Sequence, residues 1–233
     1  MLGVISLERG LSPDAAQPEP LPGSYADPNV VGTPVIIEYV PGAWVENVVR
    51  GDTSVLPGYI AAARRLVSRG AIAITSNCGF TIRYQEAVAA GVRVPVALSS
   101  LLLLPGLLRQ LPNNGKIAVL TYDSACFSDE LLTLAGVEDR TQVVIEGIEG
   151  GKFWSDEMMK PPPRTDVRAL IADVLACAKK VRDANSGIAI ILLECASFPL
   201  AAKTVRRETG LPVYDMISLC KLTLGAIEHD LGV

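Results

Sequence analysis

Short apolar runs, many of them β-branched, alternate along the chain with longer stretches in which apolar residues recur at helical spacing. This alternation is typical of β–α units that build a mostly parallel sheet. It predicts eight strands, at Leu2–Leu7, Pro34–Val40, Ala71–Asn77, Val94–Leu98, Lys116–Thr121, Gln142–Gly147, Gly187–Glu194 and Pro212–Asp215. It predicts helices between them, at Val55–Arg69, Arg83–Ala90, Ser99–Leu111, Ser128–Ala135, Thr165–Ala184, Leu200–Thr209 and Ile217–His229.

Three segments do not follow this rhythm. Gly10–Pro34 and Gly150–Thr165 are rich in proline and lack periodicity, so both are predicted to be long loops. Such loops are often lids, interface arms or binding loops, and a plain surface insertion is an equal alternative. The segment Pro41–Asp52 carries Trp44 after a strand, and we expect it either to cover a cleft or to pack as a helix through Trp44.

The chain also has the pattern of an internal duplication. One apolar strand ends in Asn77-Cys78 and another ends in Glu194-Cys195, and a Pro-Val pair follows each cysteine after seventeen residues. Upstream, a strand ending at Ser6 lies 72 residues before Cys78, and a strand ending at Thr121 lies 74 residues before Cys195. Three landmarks in one register indicate two related halves.

We therefore predict an α/β fold of two pseudo-symmetric, Rossmann-like halves with the active site between them. Each half is expected to hold a mostly parallel sheet flanked by helices. The first half is assigned approximately to residues 1–98 and 210–233 and carries Cys78. The second half is assigned to residues 99–209 and carries Cys195.

The two cysteines are the strongest candidates for catalysis. Ligands of open parallel sheets lie beyond the carboxyl ends of the strands, where both cysteines are placed. A helix start follows each one, and its free N–H groups are expected to hold a carboxylate and to favour thiolate. Two opposed thiols suit proton transfer at a carbon next to a carbonyl, because one removes a proton and the other returns it with inverted configuration.

Other strand-end residues are predicted to bind the substrate and to stabilise the carbanion through hydroxyl and N–H groups. The candidates are Ser6, Asn77, Gly79, Thr121, Tyr122, Glu194, Ala196 and Ser197. Tyr122 and Asp215 are equally consistent with ordinary turn residues. Cys177 and Cys220 are expected to pack helices, and packing is also favoured for Cys126 over a place in the cleft.

Composition narrows the range of functions. The 233 residues have a net charge of −4, which gives no basic surface for nucleic acid. The one histidine, His229, is expected to be solvated, and this excludes most histidine catalysis and zinc sites. No phosphate loop, metal motif or Schiff-base lysine motif is present, so no cofactor is predicted. Five cysteines without CxxC spacing, and no signal peptide or membrane segment, favour free thiols in the cytoplasm.

These residues resemble the aspartate/glutamate racemase superfamily, which includes hydantoin racemases. Thr75-Ser-Asn-Cys-Gly-Phe80, Leu193-Glu-Cys-Ala-Ser197 and Leu211-Pro-Val-Tyr-Asp215 carry the resemblance, which covers essentially the whole chain. It implies a metal-free and pyridoxal-free racemase fold that is usually dimeric, with Cys78 and Cys195 as the acid/base thiols. It also implies that Asn77 and Thr121 contact the substrate carboxylate.

The motifs also depart from those of the resembled family. Glutamate racemases typically read Cys-Asn-Thr and Cys-Thr-His, whereas this chain reads Cys78-Gly-Phe and Cys195-Ala-Ser, which puts glutamate and aspartate in doubt as substrates. Cys-Ala is closer to hydantoin racemases. Related decarboxylases keep only one of the thiols, so the presence of both disfavours decarboxylation.

The sequence thus predicts a cofactor-independent, homodimeric or larger racemase or epimerase of an amino acid or a derivative. Its substrate is expected to be a small carboxylate or a cyclic amide. A hydantoin/allantoin-type racemase, a maleate isomerase-like enzyme and a non-catalytic small-carboxylate binding protein are the alternatives.

Overall fold

The computed structural model describes residues 1–11 and 18–227 of the chain. Within these ranges, parallel strands form two four-stranded sheets. The strands are β1 (Leu2–Ser6), β2 (Val35–Tyr39), β3 (Ala73–Ser76), β4 (Val96–Ala97), β5 (Lys116–Thr121), β6 (Val143–Gly147), β7 (Ile188–Leu193) and β8 (Val213–Tyr214). All eight lie within predicted strands, and the α/β class is confirmed.

The two sheets have the same strand order. The first runs β2-β1-β3-β4 and the second runs β6-β5-β7-β8, so each strand of one half has a counterpart in the other. Cys78 lies two residues past the end of β3, and Cys195 lies two residues past the end of β7. The predicted duplication is therefore confirmed, and it places the two cysteines at equivalent positions.

Helices pack against both sheets. They are α1 (Pro28–Val31), α2 (Val45–Val49), α3 (Leu56–Ser68), α4 (Gln85–Ala90), α5 (Leu104–Leu108), α6 (Asp129–Leu134), α7 (Lys152–Glu157), α8 (Val167–Ala184), α9 (Pro199–Thr209) and α10 (Met216–Gly225). In α8 the buried residues recur at helical spacing, and the Asp166 carboxylate caps the first turn. Among the helices of the described ranges, none is long and apolar enough to cross a membrane.

Three short helices lie outside the seven predicted helices. α1 lies in the predicted loop 10–34, α7 lies in the predicted loop 150–165, and α2 lies in the segment 41–52. Helices of four to six residues are too short to show a period. The Asp27 side chain caps α1, and each of the three helices buries at least one apolar residue. The prediction that 10–34 and 150–165 are long loops was therefore wrong at α1 and α7.

The boundary that we predicted at residue 210 needs a correction. Strand β8 pairs with β7 and so belongs to the second sheet, whereas α10 packs in a small core with Leu2 and Val4 of β1. The chain returns to the first half at Asp215, which caps α10 through a reciprocal hydrogen-bond pair with Ser218. Asp215 is thus an ordinary capping residue. The prediction for His229 lies outside the described residues.

Candidate active site

A cavity of about 600 Å³ opens between the two halves at the carboxyl ends of their strands. Both candidate catalytic cysteines line it. Eight of the ten predicted site residues are in its lining, namely Ser6, Asn77, Cys78, Gly79, Tyr122, Glu194, Cys195 and Ser197. The duplicated strand ends therefore meet at one cavity.

Thr121 and Ala196 are not in this lining. Thr121 is fully buried, and its hydroxyl donates a hydrogen bond of 2.9 Å to Glu194 Oε2. Ala196 is fully buried in the small core with Met216 and Leu219. The prediction that these two residues contact the substrate is not supported, because both side chains are used inside the protein.

Asn77 links the ends of β1 and β3, the two central strands of the first sheet. Its Oδ1 accepts the Leu7 N–H at 2.9 Å, and its Nδ2 donates to Ser6 Oγ at 2.9 Å. Both ends of the amide are thus occupied, although the side chain borders the cavity. Asn77 fixes the start of the turn that carries Cys78, and its predicted contact with a substrate carboxylate remains a prediction.

Glu194 occupies the equivalent place in the second half. Its Oε2 accepts a hydrogen bond from the Thr121 hydroxyl, and the nearby Tyr122 backbone N–H lowers the pKa of this carboxyl group. Its Oε1 is buried and has no hydrogen-bond partner among the described residues. A Cβ atom at position 79 would overlap this carboxyl group, so the glycine there leaves the space that Glu194 fills. Burial raises the pKa of Glu194 to about 7.

Both site thiols are weaker acids than we expected. Burial, followed by the charge of Glu194, raises the pKa of Cys78 and of Cys195 well above the ordinary value. The expected N–H groups are present, since those of Phe80 and Thr81 lower the pKa of Cys78 and that of Ser197 lowers the pKa of Cys195. The helix starts thus favour thiolate, as expected, but burial and the charge of Glu194 outweigh them.

The remaining cysteines lie away from this cavity. Cys177 on α8 and Cys220 on α10 are buried among packed helices, as predicted, and burial raises their pKa to about 12 and about 11. Cys126 is partly exposed and borders a separate hollow with Arg83 and Glu130. The prediction that Cys126 does not line the cleft is confirmed.

Sequence reasoning missed several residues of the cavity lining. Arg9 and Glu157 form an ion pair there with nitrogen–oxygen distances of 2.5 and 3.2 Å. Burial opposes the charge of Arg9, but the hydrogen bond and charge of Glu157 outweigh it and raise the pKa of Arg9. Tyr25 and Tyr39 also line the cavity. Arg9 follows β1 and Glu157 ends α7, so the pair joins the two halves.

Tyr122 is held by residues of α7. Its hydroxyl donates to the Trp154 carbonyl at 2.7 Å, and its ring lies edge-on to Phe153. Trp154 in turn donates from Nε1 to Asp123 Oδ2 at 3.0 Å. Burial raises the pKa of Tyr122, so its phenol stays neutral. The predicted loop 150–165 thus supplies a wall of the site.

Segment 41–52 also contributes to the lining, through Val45 and Val49. Trp44 is not among the lining residues.

Known proteins that resemble the chain fall into two groups, although no protein-family model matches it. In sequence, a dimethylsulfoniopropionate lyase of Durusdinium sp. clade D is 32% identical over 205 residues, which are 85% of this chain and 67% of that protein. The chain belongs to the dimethylsulfoniopropionate lyase family. Dimethylsulfoniopropionate lyase 7 of Emiliania huxleyi is 28% identical over 237 residues, which cover 97% of this chain and 67% of the relative. Lyase 5 of the same alga is 32% identical, and there the match spans 34% of the relative.

Solved structures place this lyase family member in the fold that the sequence predicted. A glutamate racemase of Bacillus anthracis aligns with a TM-score of 0.62 at 13% identity, over 97% of this chain and 80% of that one. An allantoin racemase of Pseudomonas fluorescens aligns with 0.58 at 14% identity, over 97% and 91%. Arylmalonate decarboxylase aligns with 0.55 at 19% identity, over 97% and 91%. The superfamily fold is confirmed, and both groups of relatives support the prediction of an enzyme.

Proposed function

We propose that this protein is a lyase that acts on dimethylsulfoniopropionate, or on a close analogue, by proton abstraction next to the carboxylate. The observation that carries the proposal is the presence of Cys78 and Cys195, one from each half, in the lining of a single cavity. The named activity of the sequence relatives supplies the reaction class and the substrate. The racemases and the decarboxylase supply the fold alone.

The chemistry of the substrate fits a thiolate base. This propionate carries a dimethylsulfonium group on the carbon next to the one that bears the carboxylate. The thiolate removes a proton from the carbon beside the carboxylate, and the electron pair of that C–H bond forms a C=C bond. The bond to the sulfonium sulfur breaks, and its electron pair leaves with the sulfur. The products are acrylate and dimethyl sulfide, and the cysteine ends with the proton.

The cavity wall offers groups for both charges of such a zwitterion. Arg9 and Arg164 are cations in the lining and can pair with a carboxylate. Tyr25, Tyr39 and Tyr122 also line the cavity, and aromatic rings attract sulfonium as they attract other cations. An apolar wall favours the neutral leaving group, dimethyl sulfide. The elimination uses the thiol, the carboxylate contacts and the shape of the cavity, and it requires no cofactor.

A second candidate is the racemase or epimerase that the sequence predicted. The paired thiols favour it specifically, because inversion uses a base on one face and an acid on the other, whereas elimination needs one base. Its substrate would be a small carboxylate or a cyclic amide. A homodimer and a cytoplasmic location remain predictions for either candidate.

Two assays on the purified protein separate the candidates. The first measures dimethyl sulfide and acrylate released from dimethylsulfoniopropionate. The second follows loss of optical rotation in amino acids, N-substituted amino acids and hydantoins. The proposal predicts both elimination products in equal amounts, at a rate proportional to enzyme. Inversion of any of the chiral substrates without release of dimethyl sulfide would replace the lyase with the racemase.

A further inference from the structure

Glu194 is fully buried and interacts electrostatically with both site thiols. One oxygen of its carboxyl group has no hydrogen-bond partner among the described residues. Its Oε2 is held by Thr121, while its Oε1 is directed toward Gly79, the neighbour of Cys78. Glu194 itself precedes Cys195 in the chain. The free oxygen therefore lies beside the residue that follows Cys78, on the side chain that precedes Cys195, and a buried oxygen of this kind is costly unless it is used.

The surroundings of Glu194 differ from those of its counterpart in the first half. Asn77 makes the corresponding hydrogen bonds with Ser6 and Leu7, and neither end of its amide is left free. Glutamate is longer by one methylene and ionisable, and its carboxyl group occupies the space left by the missing Cβ of Gly79. The duplicated scaffold could be satisfied by a neutral amide, so hydrogen bonding between strands does not explain the acid.

The charges that face this carboxyl group are few. The Cys78 and Cys195 thiols interact with it electrostatically, as does the Arg83 guanidinium from the segment after Cys78. Two further neighbours carry no formal charge. One is the Tyr122 backbone N–H, and the other is the Ser100 hydroxyl, which donates to the Leu193 and Glu194 carbonyls. A low-dielectric site of this kind stabilises one negative charge far better than two.

We propose that Glu194 is a positioning residue that accepts the proton of a site thiol, so that one negative charge is shared between its carboxyl group and Cys78 and Cys195. The transfer converts a thiol and a carboxylate into a thiolate and a carboxylic acid, and it changes no total charge. It gives the buried thiols a route to the thiolate without release of a proton to water. The inference rests on the proposed role of the thiols as bases.

Alkylation by iodoacetamide at a series of pH values tests this without any substrate. The rate is followed separately for the Cys78 and Cys195 peptides by mass spectrometry, in wild-type protein and in Glu194→Gln. In the wild type we expect the rate to rise through about pH 7 and then to level, because after the first proton has left the thiolate fraction no longer depends on pH. In Glu194→Gln we expect no plateau and a rise of about tenfold per pH unit until the thiol itself titrates.

Two further variants keep the result interpretable. Glu149→Gln changes an acid that lies outside the cavity and binds Ser124, and it should keep the wild-type plateau. Thr121→Val removes a hydrogen bond that lowers the pKa of Glu194, so it should move the plateau to higher pH even if Glu194→Gln fails to fold. A wild-type profile that rises without a plateau, or a Glu194→Gln profile identical to the wild type, overturns the proposal. Since no turnover is measured, absence of lyase activity is a separate result.

Discussion

The two halves of the molecule share a scaffold and differ in their chemistry. Each has a four-stranded parallel sheet of the same order and a cysteine two residues past the third strand along the chain. Cys78 leads into a 3₁₀ helix, Gly79–Tyr84, whereas Cys195 leads through a short turn into α9. The residue before Cys78 is the neutral Asn77, and the residue before Cys195 is the buried acid Glu194.

This difference shows that pseudo-symmetry of the fold does not extend to charge. Asn77 and Glu194 each join their strand to the end of the neighbouring central strand. Only Glu194 adds an ionisable group and a free oxygen to the cavity. An elimination needs a single base, so it accords with an unequal pair of halves, whereas inversion of configuration demands comparable roles from both.

The largest expected effect is that of removing one thiol. Cys78→Ser and Cys195→Ser nearly preserve the shape of the side chain. A serine hydroxyl is a far weaker acid than a thiol, and in its neutral form it is a far weaker base than a thiolate. For a lyase, the variant that lacks the base should lose at least ~10²–10⁴-fold in kcat, and the other variant should lose clearly less. For a racemase, both variants should lose comparable activity. Steady-state rates measure this, with Cys177→Ser as the control, since Cys177 is buried on α8 away from the cavity.

The second effect is the change of protein stability with pH that the buried Glu194 causes. Burial raises the pKa of Glu194 from its ordinary value of 4.5 to about 7, so the folded protein binds the carboxyl proton more tightly than the unfolded chain does. Stability therefore falls as the pH rises from about 4.5 to about 7, by about 3 kcal/mol. Urea unfolding at both ends of this range should show that loss in the wild type. Glu194→Gln lacks this titration, so the stability that it loses over the same pH range should be smaller by about that amount. Equal losses in the two proteins would contradict a raised pKa of Glu194.

A third variant tests the contact between Glu194 of the second half and Gly79 of the first. Gly79→Ala places a Cβ on the Glu194 carboxyl group, and we expect a loss of about 1–3 kcal/mol in the free energy of unfolding, with lower activity. Thermal denaturation measures the loss. Gly106→Ala in α5 is the control, because no atom lies near its added Cβ and alanine favours a helix. If both glycine variants behave alike, the contact between Gly79 and Glu194 has no energetic consequence.

The smallest effect is expected at the ion pair of Arg9 and Glu157, which joins the halves and lines the cavity. Glu157→Gln keeps one acceptor but removes the charge, so we expect KM to rise by about three- to tenfold and kcat to change little. Glu46→Gln, which removes a more exposed ion pair with Lys160, should leave both constants unchanged. A kcat that falls with an unchanged KM would place Glu157 in the chemistry rather than in substrate binding.

The fold could be predicted because its signals are local and repeated. β5 is a run of apolar residues between Lys116 and Thr121, and the structure gives it the predicted bounds. The duplication then located both cysteines, since equal spacing to a Pro-Val pair requires equal positions in two sheets. The return of the chain to the first half was placed at residue 210, before β8, although the duplication itself matches the Pro-Val pair of β8 to that of β4 and so assigns β8 to the second sheet.

The site was predicted in part, and what was missed depends on long-range contacts. Arg9 and Glu157 are 148 residues apart and lie outside periodic elements, so nothing in the sequence indicates their pairing. Thr121 was predicted to face the substrate because it ends a strand, but Glu194 binds its hydroxyl. The acidity of the thiols was misjudged for the same reason, since local N–H groups can be read from a helix start whereas burial and the nearby carboxyl group cannot.

The account rests on one of the two site thiols acting as the base of the elimination, and one measurement tests this most directly. Dimethyl sulfide released from dimethylsulfoniopropionate is measured for wild-type protein and for the Cys78→Ser/Cys195→Ser double variant at equal concentration, with circular dichroism verifying that both are folded. The account predicts release by the wild type, and a folded double variant slower by at least ~10²–10⁴-fold. A folded double variant that releases dimethyl sulfide at the wild-type rate would contradict it.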